Sequence, residues 1–212
     1  MQWPTIKEIS AMTALPEGYR FEPMRRTDIG ELVEGIRAWF PSVSVGAASC
    51  YLTEQFYLDK AVIDDEFDKD VLILLIKSKD DIIGMGSWER ETGAMTLYAR
   101  LGVIAPAHRG AGMAVLAMEL GEKLGRAMGA GFIYALATMK MPQMQRALEH
   151  AGYQLIGFVP GYDREEVSPG VVKRVFEAVY AKRLAPAEEF LRPEDRNMTP
   201  TARRLFDTIF PE

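Results

Sequence analysis

Residues 71–105 hold three apolar runs, VLILLIK (71–77), IIGMGSWER (82–90) and AMTLYARLGVIA (94–105), separated by turns built on KDD and ETG. Connections that short join only antiparallel neighbours, because a parallel return needs a crossover of a dozen or more residues. The middle of this chain is therefore committed to an antiparallel sheet.

The texture changes after residue 105. Met113, Leu116, Ala117, Leu120, Leu124 and Met128 follow helical spacing, Gly129-Ala130-Gly131 supplies C-cap chemistry, and FIYALAT (132–138) reads again as a strand. Strand, helix and strand form a crossover, which places 94–105 and 132–138 side by side and parallel. Pro142 fits the first turn of a helix reaching about His150, which Gly152 ends. YQLIGFVP (153–160) and VVKRVFEAVY (171–180) are expected to close the sheet as an antiparallel pair across a loop, PGYDREEVSPG.

Upstream, residues 1–17 carry Pro4 and Pro16 and little periodicity, so an irregular lead-in is expected. GYRFEPM (18–24) alternates as a short strand, and Thr27 or Asp28 can cap a helix on Ile29, Leu32, Val33 and Ile36 that Pro41 stops. A second helical segment lies within 47–62. The expected organisation is thus a lead-in (1–17), one domain (18–184) and an extension (185–212) punctuated by Pro186, Pro193, Pro200 and Pro211. A short amphipathic helix there presents Leu205, Phe206, Ile209 and Phe210, either to the domain itself or to a partner.

Composition narrows the function classes. Among 212 residues, 48% are apolar and 26% charged, as in ordinary globular proteins. No apolar run approaches the roughly 18–20 residues of a membrane span, and the start lacks the basic and apolar regions of a signal peptide, so a cytoplasmic location is expected. A net charge of −5 gives no footprint for nucleic acid. Cys50 is the only cysteine and has no ligand-spaced neighbours, so neither a disulfide nor a metal site is expected. The run DDEFDKD (64–70) reads as a solvated turn, lacking the glycine and final glutamate of a calcium loop.

The most informative stretch is VIAPAHRGAGMA (103–114), where glycines precede a helix. A helix N-terminus offers unpaired N–H groups and the positive end of the macrodipole, and glycine lets an anion come close to them. Met113-Ala114 stands where a P-loop needs Lys-Ser/Thr, and Val115 where a dinucleotide fingerprint needs its third glycine. A purely structural strand-to-helix turn is the remaining plain alternative. The pattern Q/R-x-x-G-x-G/A is met by Arg109, Gly112 and Ala114.

In that context the motif resembles the acyl-CoA-binding loop of the GNAT N-acetyltransferase superfamily, and the order of elements from about residue 19 to 180 is similar as well. Ala151-Gly152-Tyr153 stands where the family usually has a Gly-Phe pair. The resemblance implies an α/β (α+β) fold: a mixed, mostly antiparallel sheet with a central splayed parallel pair and helices on both faces. It implies acetyl-CoA as cofactor, its pantetheine along the backbone of Gly102, Val103 and Ile104 and its pyrophosphate on Arg109, Gly110, Ala111, Gly112, Met113 and Ala114.

The implied reaction is direct attack of a primary amine, on a small molecule or a protein, on the thioester of a ternary complex. An alkylamine with a pKa near 10.4 sits about three pK units above neutrality, so a base or a desolvating pocket must supply on the order of 4–5 kcal/mol. A backbone N–H near Val103 is a candidate donor to the developing oxyanion. The tyrosine that family members often carry four residues before the glycine is Leu148 here, and the asparagine expected near Met141 is missing. The substitutes are Tyr98 as proton donor and Glu89 at the end of the preceding strand, each with a purely structural alternative. Tyr134 reads as core, His108 lies at the wrong end of the cofactor, and His150 suits a helix C-terminus. Tyr162, Asp163, Glu165 and Glu166 would give an acidic rim suited to a cationic amine. A non-catalytic acyl-CoA-binding regulator of the same fold is the alternative function, and a homodimer is compatible with either.

Overall fold

The computed structural model describes residues 1–211, so the last residue of the 185–212 extension lies outside the described residues. In chain order the elements are α1 (Ile6–Met12), β1 (Tyr19–Pro23), α2 (Ile29–Trp39), α3 (Glu54–Lys60), β2 (Ala61–Val62), β3 (Val71–Ser78), β4 (Asp81–Glu91) and β5 (Thr96–Ile104). They continue with α4 (Met113–Ala127), β6 (Phe132–Thr138), α5 (Gln143–His150), β7 (Gln154–Ser168), β8 (Val171–Arg183) and α6 (Pro200–Ile209).

The strands form one sheet in the order β1-β3-β4-β5-β6-β8-β7, with β2 beside β3. β3, β4 and β5 pair antiparallel, as their short turns require, while β5 and β6 are parallel across the α4 crossover. Alternation along β3 sorts the core. Leu72 and Leu74 join Leu97, Ala99, Ile133, Tyr180 and the inner faces of α4 and α5, whereas Val71, Ile73 and Leu75 join Leu32, Ile36 and Tyr57 from α2 and α3. That is why β3 reads as an unbroken apolar run: both its faces are covered.

Two expectations need correction. The lead-in is not irregular: Thr5 and Glu8 make a reciprocal capping box, and Ile9 and Trp3 bury against the main core. The first closing strand also runs on past 160 to Ser168 and meets β8, which begins at Val171 as expected, in a long hairpin turning at Pro169-Gly170. Charged residues inside DREEV conceal the alternation of a solvated hairpin, so the stretch resembles a loop by composition. The α6 face covers part of the sheet end without burying any of its residues, and Leu205 stays 58% exposed.

Candidate active site

β5 and β6 stay paired only from Thr96/Phe132 to Ala99/Ala135, although both strands continue, to Ile104 and Thr138. Beyond Ala99 they diverge as a wedge. Its cause is a β-bulge: Ser87 of β4 faces two residues of β5, Arg100 and Leu101. The extra residue reverses the alternation of β5, so Leu97 and Ala99 pack toward α4, but Leu101 and Val103 pack toward α2.

Side chains hold this bulge together. Ser87 Oγ accepts from the Leu101 N–H at 3.1 Å and donates to the Leu101 carbonyl at 2.9 Å. With its one proton spent, it accepts from the Tyr51 hydroxyl at 2.7 Å, while Tyr57 donates to the Tyr51 carbonyl at 2.7 Å. The helical segment 47–60 thus braces the sheet where the wedge begins.

Past the bulge, Ala105 N–H donates to the Ile83 carbonyl at 2.8 Å, and the antiparallel alternation then gives Val103 to β4 while Gly102 and Ile104 turn their backbone into the wedge. The N–H groups that face the wedge near Val103 are thus those of its neighbours Gly102 and Ile104. The Arg109 side chain caps the loop. Its guanidinium folds back to donate to the Ile104 and Trp39 carbonyls, both at 3.0 Å, over the Phe40 ring. The side chain fastens the loop to the wedge rim and points no charge at an anion.

The loop itself has the expected shape. Gly110 and Gly112 have φ of +88° and +77°, left-handed conformations that favour glycine, and a Cβ on either would project into open space. Arg109 N–H is taken by the Pro106 carbonyl, whereas no hydrogen bond among the described residues uses the N–H of Gly110, Ala111, Gly112, Met113 or Ala114. Gly110, Ala111 and Gly112 are exposed and Ala114 half-buried, while Met113 is buried as a residue; a diphosphate fits such a row of unpaired N–H groups at the N-terminus of α4.

The α2 side of the sheet supplies the chemistry. In one row across the strands lie Val71, Glu89, Tyr98, Tyr134 and Ala181. Tyr98 stacks on Tyr134 with centroids 4.7 Å apart, so Tyr134 is part of this surface and not of the core. Burial, and then the neighbouring Tyr162 phenol, push the Tyr98 hydroxyl well above the usual tyrosine range. Arg100 hydrogen-bonds Glu89 and sits over the rings of Tyr51, Phe56 and Tyr98 at 5.7–5.8 Å. Glu89 is consequently engaged, not free. Cys50 lies beside Arg100, and burial raises its thiol pKa.

The expected acidic rim is largely consumed by internal bonds. Asp163 accepts from Ala47 N–H at 2.7 Å, Glu166 from Ser44 Oγ at 3.0 Å, and Glu165 pairs with Lys140. Three residues, 160–162, bulge opposite Phe176 and carry Tyr162 toward the stacked tyrosines. His108 accepts or donates a hydrogen bond with Tyr19 at 3.1 Å, and His150 bonds the Arg146 carbonyl. Leu148 is fully buried in the core.

One residue escaped sequence reading altogether. Glu177 on β8 is only 6% exposed, and its side chain makes no hydrogen bond or ion pair with any described residue. Its carboxyl is pushed up to about 7 by burial and then by the negative charges of Asp163 and Glu165. In the sequence it lies within VKRVFEAVY, where nothing sets it apart from an outward-facing strand residue.

No protein-family model and no curated protein sequence matches the chain. Solved structures do. A ribosomal-protein-S5-alanine acetyltransferase from Vibrio fischeri superposes with a TM-score of 0.64 at 11% identity, covering 81% of this chain and 96% of that one. The dodecameric spermidine N-acetyltransferase from Vibrio cholerae gives 0.60 at 14%, covering 79% and 94%. A ribosomal L7/L12 alpha-N-protein acetyltransferase in complex with coenzyme A gives 0.63 at 9%, covering 81% and 97%. With the splayed β5–β6 pair and the glycine loop ahead of α4, these likenesses establish that this chain has the GNAT acetyltransferase fold.

Proposed function

We propose that this protein is an acyl-CoA-dependent N-acyltransferase, using acetyl-CoA and a primary amine carried by a small molecule or a protein. The observation that carries the proposal is the combination of an open β5–β6 wedge with five unengaged amides at its rim. Gly110, Ala111, Gly112, Met113 and Ala114 would hold the pyrophosphate through main-chain N–H groups. Gly102 and Ile104 would hold the pantetheine arm along the wedge, and their N–H groups would be the donors to negative charge developing on the thioester oxygen. Acetyl-CoA, when bound, supplies an activated acyl group as a thioester.

Tyr98 is the proton donor of this reading. Its raised pKa keeps the phenol protonated through the working range, as an acid toward a thiolate must be. Glu89 acts through Arg100, fixing a cation where the wedge begins. The structural neighbours include enzymes named for spermidine and for ribosomal proteins, so both small and protein-borne amines fit this proposal. A homodimer belongs to it too, supported by Phe158 and Phe176, exposed on one face of the β7–β8 hairpin.

A second reading, coenzyme A binding without turnover, is favoured by one observation: Leu148 leaves α5 without the family's tyrosine. Two measurements separate the readings. Thermal stabilisation by coenzyme A is expected in both cases. Amine-dependent release of free thiol from acetyl-CoA, measured over a panel of primary amines, is expected only of the transferase.

A further inference from the structure

Glu177 is a buried carboxylate with no assigned work. Ala178 and Tyr180 pack into the α4–α5 core, so alternation turns Glu177 and Val179 to the opposite face, shared with Tyr98, Tyr134 and Glu89. Its partner across β6 is Thr138, three residues beyond Ala135, where β6 leaves β5. Glu177 therefore stands on the β6 side of the wedge, past the point where it opens, about 13 Å along β8 from Ala181 in the tyrosine row.

The group is accessible despite its burial. Trp88 Nε1 is the only fully enclosed side-chain polar atom without a partner among the described residues, so the Glu177 oxygens, also unpartnered, must keep some contact with solvent. An unpaired carboxylate pays a desolvation cost that a structural residue at this position would avoid by being apolar. The charged groups around it are Asp163 and Glu165 from β7, and Lys140, which follows β6 and pairs with Glu165. No cation faces Glu177 directly.

We propose that Glu177 is the residue that takes the proton from the acceptor ammonium before attack. This rests on the transferase reading above. The Glu177 carboxylate removes one proton from R–NH3+, giving R–NH2 and a carboxylic acid. The amine nitrogen then forms a bond to the acyl carbon as the carbon–sulfur bond breaks. Tyr98 gives its proton to the departing thiolate and regains one from the acylated nitrogen. Glu177 finally releases its proton to water, so acetyl-CoA and R–NH3+ become amide, free thiol and one H+. A base that is half ionised near neutrality accepts a proton and returns it without a large barrier either way.

The test compares wild type with Glu177→Gln in three measurements. In wild type, log kcat/KM with a primary amine should rise with pH and level off near 7; Glu177→Gln should lose about 10²–10⁴-fold on that plateau and lose the inflection. Coenzyme A should stabilise both proteins equally, which shows that the variant folds and binds. A third readout is independent of turnover. A carboxyl whose folded pKa is raised favours the folded state below its unfolded pKa, near 4.5, and that contribution is lost as pH rises through about 7. The Tm of Glu177→Gln should therefore exceed that of wild type at pH 8, with the gap closing toward pH 4.5. Glu165→Gln, which removes a neighbouring negative charge, should move the wild-type inflection to lower pH. An active wild type whose inflection survives in Glu177→Gln overturns the assignment of Glu177 alone. Coenzyme A binding with no thiol release for any amine overturns the transferase reading and the assignment with it.

Discussion

Ser87 and Leu101 exchange two hydrogen bonds, the hydroxyl accepting at 3.1 Å and donating at 2.9 Å, across the bulge that opens the sheet. In a regular ladder those Leu101 groups would meet backbone on β4, and β5 would stay flush with β6. Ser87→Ala leaves both Leu101 groups and the Tyr51 hydroxyl without their partner. The expected cost is about 1–3 kcal/mol, equivalent in a chain of this size to roughly 2–12 °C in Tm. Coenzyme A should also bind more weakly, because the bulge sets where Gly102 points. A Tm indistinguishable from wild type would show that water replaces the hydroxyl and that the wedge does not depend on it.

The phosphate loop gives the sharpest separation of binding from folding. Gly112 precedes α4 with φ +77° and open space where a Cβ would stand. Gly112→Asp should cost on the order of 1–2 kcal/mol for the left-handed conformation while placing a negative charge among the free amides. Differential scanning fluorimetry should find a folded protein that coenzyme A no longer stabilises. At one hundred times Kd the wild type should gain about 2.7 kcal/mol. Retained stabilisation in the variant would move the anion site away from this loop.

The contrast between these two positions shows what a sequence makes legible. The glycine loop is local: its left-handed glycines and the helix start that follows are contiguous, so its shape is legible from 103–114, while its proposed anion-binding role also leans on the order of elements from 19 to 180. The wedge was expected only through family resemblance, since the bulge that produces it joins Ser87 to Leu101, and no one-dimensional pattern marks that pair. The capping box Thr5-Ile6-Lys7-Glu8 is present in the sequence, but a four-residue signal is outweighed there by two prolines and weak periodicity. Asp163, Glu165 and Glu166 looked like a free acidic rim because a sequence shows charges and not their partners Ala47, Lys140 and Ser44. Glu177 was invisible for the converse reason: its distinction is the absence of a partner.

Tyr98 is tested by removing one oxygen. Tyr98→Phe keeps the ring stacked on Tyr134 and leaves Arg100 its aromatic neighbour, so neither folding nor coenzyme A affinity should change. Steady-state kinetics should show kcat reduced about 10²-fold, with KM for acetyl-CoA nearly constant. Because the phenol stays protonated well above the ordinary tyrosine range, its loss should lower the rate evenly between pH 6 and 9 without moving an inflection. Unchanged turnover would leave proton delivery to solvent or to the acceptor nitrogen.

The C-terminal helix should be separable from the site. α6 buries none of its residues; Thr199 caps it by accepting from Ala202 N–H at 3.2 Å, and Phe206 and Phe210 overhang a cavity of about 600 Å³ lined also by Phe132, Ile156 and Phe190. That cavity lies at the start of β6, whereas the wedge opens toward Thr138, six residues and roughly 20 Å away along the strand. Removing residues 199–212 should therefore lower Tm by only a few degrees, as apolar surface at Phe132 and Ile156 becomes exposed. Stabilisation by coenzyme A and amine-dependent thiol release should survive in the shortened chain. If either is lost while the Tm stays within that range, α6 takes part in the reaction across the sheet, and the separation between tail and wedge drawn from the register of β6 is wrong.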